Sequence, residues 1–156
     1  LEAHGFLDDV AQYGLSSVKL NVLGIERTFI DKLMSVKRHA ICGTLAGKVR
    51  HIYDVKQLYS MPEIQTFLAD ANELRRLMQI TKATDSYYIG KRNIPSEYDP
   101  TGAYDFNAWK DKLDDNVRSN YEKLHETLLY TDEKQNLGDA IETFEHIAKR
   151  LEQIGE

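Results

Sequence analysis

Residues 17–41 read SVKLNVLGIERTFIDKLMSVKRHAI, and the hydrophobic pattern of this stretch changes period at Gly24. Before Gly24, apolar and polar residues alternate, which predicts a β-strand over Ser17–Leu23. After Gly24, apolar residues recur at helical spacing and predict an α-helix over Glu26–Ile41. A single strand cannot satisfy its own backbone hydrogen-bonding groups. We therefore expect the strand to pair with strands that this chain does not supply.

Most of the remaining sequence has helical periodicity. Further helices are predicted over Glu2–Gln12, Arg50–Ser60, Pro62–Leu68, Asn72–Thr81, Asp105–Leu129 and Asn136–Gln153. The stretch from Tyr87 to Tyr104 contains glycine, proline and several aromatic residues, which predicts an ordered loop packed on the helices. The expected fold class is mainly α, a helical bundle with one short N-terminal β-strand that completes a sheet elsewhere.

The composition is that of a single soluble domain. The chain has 156 residues, a net charge of −5 and one cysteine, so an internal disulfide is excluded. No apolar run approaches the roughly 18 residues that span a bilayer, and we expect a cytoplasmic protein without membrane contact. Because the overall charge is negative, contact with a nucleotide or RNA requires a local basic cluster. The chain begins at Leu1 inside a predicted helix, which favours a fragment of a longer protein.

Lys32 is the first candidate for a binding residue. It lies at the edge of the apolar stripe of the helix over Glu26–Ile41. A lysine at such an edge either covers apolar surface with its stem or holds a positive charge beside a phosphate group. Arg27, in the first turn, is either a second phosphate ligand or a solvated charge. The basic run 37–39 favours a solvated helix end over an RNA-facing patch.

A second candidate segment reads Arg50-His-Ile-Tyr-Asp54-Val-Lys-Gln-Leu58. Arg50 and Asp54 are four residues apart, so they share one face of a helix. This spacing is typical of a helical ion pair, but it equally suits an aspartate that positions a nucleophile in a cleft. The spacing alone leaves both interpretations open.

The order of the two segments resembles the AbiEii/AbiGii nucleotidyltransferase toxin family. Arg27-Thr-Phe-x-x-Lys32-Leu, just after a short strand, is similar to the third motif of that family, and Arg50-His-x-Tyr-Asp54-x-x-x-Leu is similar to its fourth. The resemblance implies that Lys32 contacts the triphosphate of an NTP and that Asp54 is the catalytic acid. Arg27 and Arg50 would support them as nucleotide-binding residues.

The resemblance also implies an organisation and a set of partners. Residues 1–60 would be the end of the nucleotidyltransferase core, and residues 61–156 a C-terminal helical region. The implied reaction transfers a nucleotide from an NTP to an acceptor, RNA in particular, by the toxin of a toxin–antitoxin or phage-defence system. A cognate antitoxin would then be a partner protein.

The metal-binding part of that family pattern is missing from this sequence. Such enzymes hold Mg²⁺ with an Asp-x-Asp pair and place the triphosphate on a Gly-Ser turn. Neither motif occurs here, since Asp8-Asp9 and Asp114-Asp115 are adjacent pairs within predicted helices. We therefore expect the Mg²⁺ ligands upstream of Leu1, and we expect the fragment alone to be inactive.

Two other function classes compete with this interpretation. Arg118 and His125 are seven residues apart in a predicted helix and are similar to the loose Arg-x6-His signature of HEPN-type ribonucleases. Alternatively, the chain is a non-catalytic helical module that binds a partner protein through exposed tyrosines or through its strand.

Overall fold

The computed structural model describes residues 22–89, 94–127, 129 and 132–156. Within these ranges the protein is mainly helical and contains no strand. Its helices are α1 (Ile25–Ile41), α2 (Arg50–Tyr59), α3 (Pro62–Ala69), α4 (Ala71–Ile89), α5 (Asp115–Glu122), α6 (Leu124–Thr127) and α7 (Leu137–Gln153). The predicted helix over Glu2–Gln12 and nearly all of the predicted strand over Ser17–Leu23 lie outside the described residues.

Helix α1 occupies the middle of the bundle, where it packs against α2, α3 and α4. One side of α1 is buried, with Phe29, Ile30, Leu33 and Met34 fully covered. Lys37 lies on the same buried side, and its Nζ donates a hydrogen bond of 2.6 Å to the carbonyl oxygen of Ala103. This bond offsets part of the cost of burying the ammonium group, and it holds the segment before α5 against α1.

The end of α1 sets the path of the chain into α2. Gly43 has φ +68°, a left-handed conformation that a side chain would strain. The backbone N–H groups of Thr44 and Gly43 donate to the carbonyls of His39 and Ala40, which is the Schellman pattern of helix termination. A 3₁₀ turn over Leu45–Gly47 follows and leads into α2, so α1 and α2 form a helical hairpin.

Helices α4, α5 and α7 begin at side-chain caps. Asp70 accepts hydrogen bonds from the N–H groups of Asn72 and Glu73 at the start of α4. Asp114 accepts from Val117 at α5, and Asn136 accepts from Gly138 at α7. Each cap satisfies donors that the first turn leaves unpaired.

Two predicted boundaries were wrong. Helix α4 continues to Ile89, eight residues past the predicted end at Thr81. These extra residues carry no apolar stripe. An ion pair between Arg38 of α1 and Asp85, at 3.1 Å, joins this part of α4 to α1. The predicted helix over Asp105–Leu129 is replaced in its first part by two 3₁₀ turns, Phe106–Ala108 and Lys110–Lys112.

The aromatic segment before α5 packs on α7. Trp109 is buried, and its Nε1 donates to the carbonyl oxygen of Tyr104 at 3.1 Å. The rings of Phe106 and Trp109 lie 5.8 and 6.2 Å from the ring of Phe144, measured between centroids. Tyr87, by contrast, belongs to α4 and is exposed.

Candidate functional site

The hairpin of α1 and α2 brings two of the predicted site residues together. The Nζ of Lys32 lies 2.8 Å from the Oδ2 of Asp54, although 22 positions separate them along the chain. Both side chains remain partly open to solvent, with 32% of Lys32 and 21% of Asp54 exposed. The pair therefore lies at the protein surface within reach of a ligand.

Arg50 and His51 complete the polar surroundings of this pair. The Nε of Arg50 is 3.9 Å from the Oδ1 of Asp54, and 60% of the Arg50 side chain is exposed. The Nδ1 of His51 lies 3.3 Å from the Nζ of Lys32. Lys32 thus has two protein partners for its three ammonium protons. We call Lys32, Arg50, His51 and Asp54 the lysine–aspartate cluster.

Arg27 does not contact the lysine–aspartate cluster. Its Nε lies 2.8 Å from the Oδ1 of Asp31, and its guanidinium is 3.4 Å from the Oγ1 of Thr84 in α4. These contacts place Arg27 on the side of α1 that meets α4, whereas Lys32 contacts α2. We therefore leave Arg27 out of the site.

A second histidine adjoins the cluster. The rings of His39 and His51 are nearly parallel, at 17°, with centroids 5.7 Å apart. The Nδ1 of His39 is 2.8 Å from the Oγ1 of Thr44, the residue that follows the left-handed Gly43. Burial lowers the pKa of His39 to about 4, and the nearby charges of Arg38 and Lys48 add to this effect. His39 is therefore neutral near pH 7.

The basic run 37–39 was interpreted from the sequence as a solvated helix end, and the structure shows otherwise. Lys37 is buried, Arg38 bonds Asp85, and His39 stacks on His51. A signal for Lys37 was present in the sequence, because it follows Ile30 and Leu33 at helical spacing on the apolar side of α1. The stacking of the histidines had no such signal, since it depends on where the hairpin places α2.

The start of α2 is electrostatically unusual. No side chain caps it, its first turn contains no acidic residue, and Arg50 and His51 occupy its first two positions. The amino end of a helix carries a partial positive charge, so basic residues there are unfavourable for the helix. This arrangement costs stability in the free protein and favours an anion beside it.

The described residues contain no set of three or more His, Cys, Asp or Glu side chains placed to hold a metal ion. The single carboxylate of the lysine–aspartate cluster is engaged by Lys32. This donor set does not fit Mg²⁺, which takes several oxygen ligands. We derive no step through a metal from these residues.

Arg118 and His125 lie on two short helices instead of one. Helix α5 ends at Glu122 and α6 begins at Leu124, which interrupts the predicted helix between the two residues. Arg118 pairs with Glu122 at 3.5 Å, and the Nδ1 of His125 is 2.9 Å from the carbonyl oxygen of Glu122. Both contacts are local to this turn.

No protein-family model, curated protein or solved structure matches this chain. Across the described ranges, no helix combines the length and the apolar character needed to cross a bilayer.

Proposed function

We propose that this chain carries the triphosphate-contacting lysine and the catalytic aspartate of a nucleotidyltransferase, Lys32 and Asp54. The observation that supports the proposal is their 2.8 Å contact across the α1–α2 hairpin. The two residues were predicted from separate motifs, and neither motif by itself predicts a contact with the other. Their meeting at a partly open surface is what a shared site requires.

The proposed reaction assigns a distinct task to each residue. An acceptor hydroxyl, on RNA in particular, forms a bond to the α-phosphorus of an NTP, and the bond from that phosphorus to the leaving pyrophosphate breaks. Asp54 takes the proton of the hydroxyl, while Lys32 and Arg50 offset the negative charge of the phosphate groups. Such transfer also uses Mg²⁺, which would require several carboxylates that the lysine–aspartate cluster does not supply.

An ordinary surface ion pair would give the same contact, and the size of its effect distinguishes the two cases. An exposed lysine–aspartate pair contributes about 0–1 kcal/mol to stability. A residue that stabilises the transition state changes the activation free energy by several times this amount. About 1.4 kcal/mol of activation free energy corresponds to a tenfold change in rate. A large loss of transfer with a small loss of stability therefore indicates function.

The decisive experiment compares Lys32→Met and Asp54→Asn in the full-length protein. Both substitutions keep most of the side-chain volume and remove the charge. We expect each to lower the rate of nucleotide transfer from labelled NTPs to RNA by at least about a hundredfold. Urea denaturation should show a loss of at most about 1 kcal/mol.

Helix α2 offers a matched control pair. Lys56 and Asp139 of α7 form another lysine–aspartate contact, at 3.3 Å, with 25% of the lysine exposed. Lys56→Met and Asp139→Asn should leave transfer unchanged. Full activity of both Lys32→Met and Asp54→Asn would remove the basis of the proposal.

The cellular role proposed with this activity is that of a toxin in a toxin–antitoxin or phage-defence system. Induced expression of the full-length protein should then arrest growth, and Asp54→Asn should abolish the arrest. Co-expression of a cognate antitoxin from a neighbouring gene should restore growth without changing the level of the toxin.

One observation favours a second candidate, a protein-binding module. Ile80, Tyr87 and Tyr88 are large apolar residues exposed on α4, and exposed aromatic side chains are frequent at protein interfaces. If the chain acts by binding a partner protein, Ile80→Glu should abolish the growth arrest, whereas Asp54→Asn should not. The two candidates are thus separated by the same growth measurement.

A further inference from the structure

His39 and His51 form a pair of half-buried rings that the proposed reaction does not use. The two rings stack at 5.7 Å, and His51 contacts Lys32 directly. His39 is held by Thr44, and His51 is held by Lys32, so each ring has a defined orientation. The rings therefore extend the lysine–aspartate cluster towards the loop between α1 and α2.

The titratable groups that act on His39 are all basic. Arg38 comes from its own helix, Lys48 from the loop, and His51 from α2. Burial is the largest cause of the lowered pKa of His39, and these three groups reinforce it. Protonation of His39 adds a further positive charge to this set.

His51 has a similar environment with one acid. Burial and then Lys32 lower its pKa, Asp54 opposes this effect, and Lys48 and Arg38 lower it further. Lys32 donates a proton towards the Nδ1 of His51, because an ammonium group has no acceptor site. The neutral ring therefore carries its own proton on Nε2, which leaves a donor for an anion.

We propose that His39 and His51 bind a phosphate ester together with Lys32, and that this binding takes up protons onto the two rings. A phosphate anion beside the rings supplies the negative charge that their surroundings lack. The phosphate makes protonation of each ring favourable, because a nearby opposite charge stabilises the charged form of a histidine. Because protonation of His51 places a proton on Nδ1, Lys32 must leave that nitrogen and turn to the phosphate as the ring becomes charged.

The choice of ligand rests on the proposed function, and the coupling to protons rests on the burial of the two stacked rings among basic groups. The phosphate has two possible sources, the triphosphate of an NTP and the phosphodiester backbone of an RNA acceptor. Both offer the same tetrahedral oxygens to the histidines. Linkage requires either one to bind more tightly as the pH falls, and the contribution of His39 develops between its raised pKa in the complex and its pKa of about 4 in the free protein.

The test is an NMR pH titration of all five histidines in the whole chain. The C2 proton of each ring is followed from about pH 3 to 8, with and without inorganic triphosphate at constant ionic strength, so that the range extends below the pKa of His39. His39→Gln and His51→Gln assign the two resonances. We expect triphosphate to raise the pKa of His39 and of His51 by about one unit or more, which is a tenfold preference for each protonated ring.

His146 is the control, because it is an exposed histidine on α7 beside Arg150 and away from the cluster. Its C2 proton resonance should not respond to triphosphate. Equal shifts at His146, or unchanged pKa values of His39 and His51, overturn the inference. Circular dichroism establishes that the glutamine variants are folded.

A second titration replaces triphosphate with a short single-stranded RNA that has a 5′ hydroxyl. A response to triphosphate alone identifies the nucleotide as the ligand, and a response to RNA alone identifies the acceptor. If the histidines do not respond while Lys32→Met still abolishes transfer, this inference fails and the proposed function stands. If they respond while transfer is independent of Lys32, the site binds phosphate but the proposed function fails.

Discussion

At the residue scale, the side chain of His39 has the most strongly altered charge state near the site. Its pKa of about 4 in the folded protein is well below the ordinary value of 6.5. Between these two values the unfolded chain binds a proton that the folded chain does not. Protonation of the unfolded chain therefore lowers the free energy of unfolding increasingly as the pH falls from 6.5 towards 4. This effect is absent above pH 6.5.

This linkage predicts the behaviour of His39→Gln, which cannot be protonated. The loss of stability of the protein between about pH 6.5 and 4 should be smaller in the variant, by on the order of 1 kcal/mol, because the ring is only partly buried. Urea denaturation at a series of pH values measures this difference. Parallel stability curves for the two proteins would show that His39 is protonated equally in both states.

At the element scale, the connection between α1 and α2 determines what the sequence can and cannot predict. Helical periodicity correctly predicts both helices and places Lys32 and Asp54 at particular positions on them. It does not predict their contact, because that depends on the Schellman ending at Gly43 and on the 3₁₀ turn that follows. These features set the separation and rotation of the two helices, and only the folded structure contains that information.

The carboxyl end of α3 depends on a side chain from another helix. Arg150 of α7 donates to the carbonyl oxygens of Leu68 and Ala69, at 2.6 and 2.9 Å. The last carbonyls of a helix lack internal partners, and charge-assisted bonds to them are worth about 1.5–3 kcal/mol. Arg150 therefore joins α7 to the end of α3.

Arg150→Met should accordingly destabilise the protein by about 1–2 kcal/mol, since it keeps the apolar stem and removes both bonds. Lys149→Met, the exposed neighbour on the same helix, is the matched control and should change stability by less than about 0.5 kcal/mol. Thermal and urea denaturation compare the two variants. Equal stability of both would mean that solvent replaces the guanidinium at no cost.

At the scale of the whole molecule, one hydrophobic core joins α1 and α2 to α7 and to the aromatic segment before α5. The apolar stripe of α7 predicted that Phe144 is buried. Its partners Phe106 and Trp109 fell inside the helix predicted over Asp105–Leu129, because the 3₁₀ turns that position them have no periodic signal. Long-range packing here overrides local helical propensity.

Phe144→Ala should therefore affect the loop as well as α7. We expect a loss of about 3–5 kcal/mol, as for other large-to-small changes in a core. Trp109 is the only tryptophan, so its fluorescence reports on the loop. Acrylamide should quench it more strongly in the variant, whereas Ile141→Ala, on the partly covered side of α7, should leave quenching unchanged. Unchanged quenching in Phe144→Ala would show that the loop does not depend on packing against Phe144.

The contact between Lys32 and Asp54 has a consequence for selectivity. Asp54 acts as an internal competitor, because any anion that approaches Lys32 must displace a carboxylate already 2.8 Å away. A monovalent ion such as chloride gains little from this exchange, since it replaces one negative charge with another. A polyphosphate that displaces the carboxylate from Lys32 can also engage Arg50, so it gains more than the one contact that it replaces. We therefore expect the cluster to bind multiply charged anions in preference to monovalent ones.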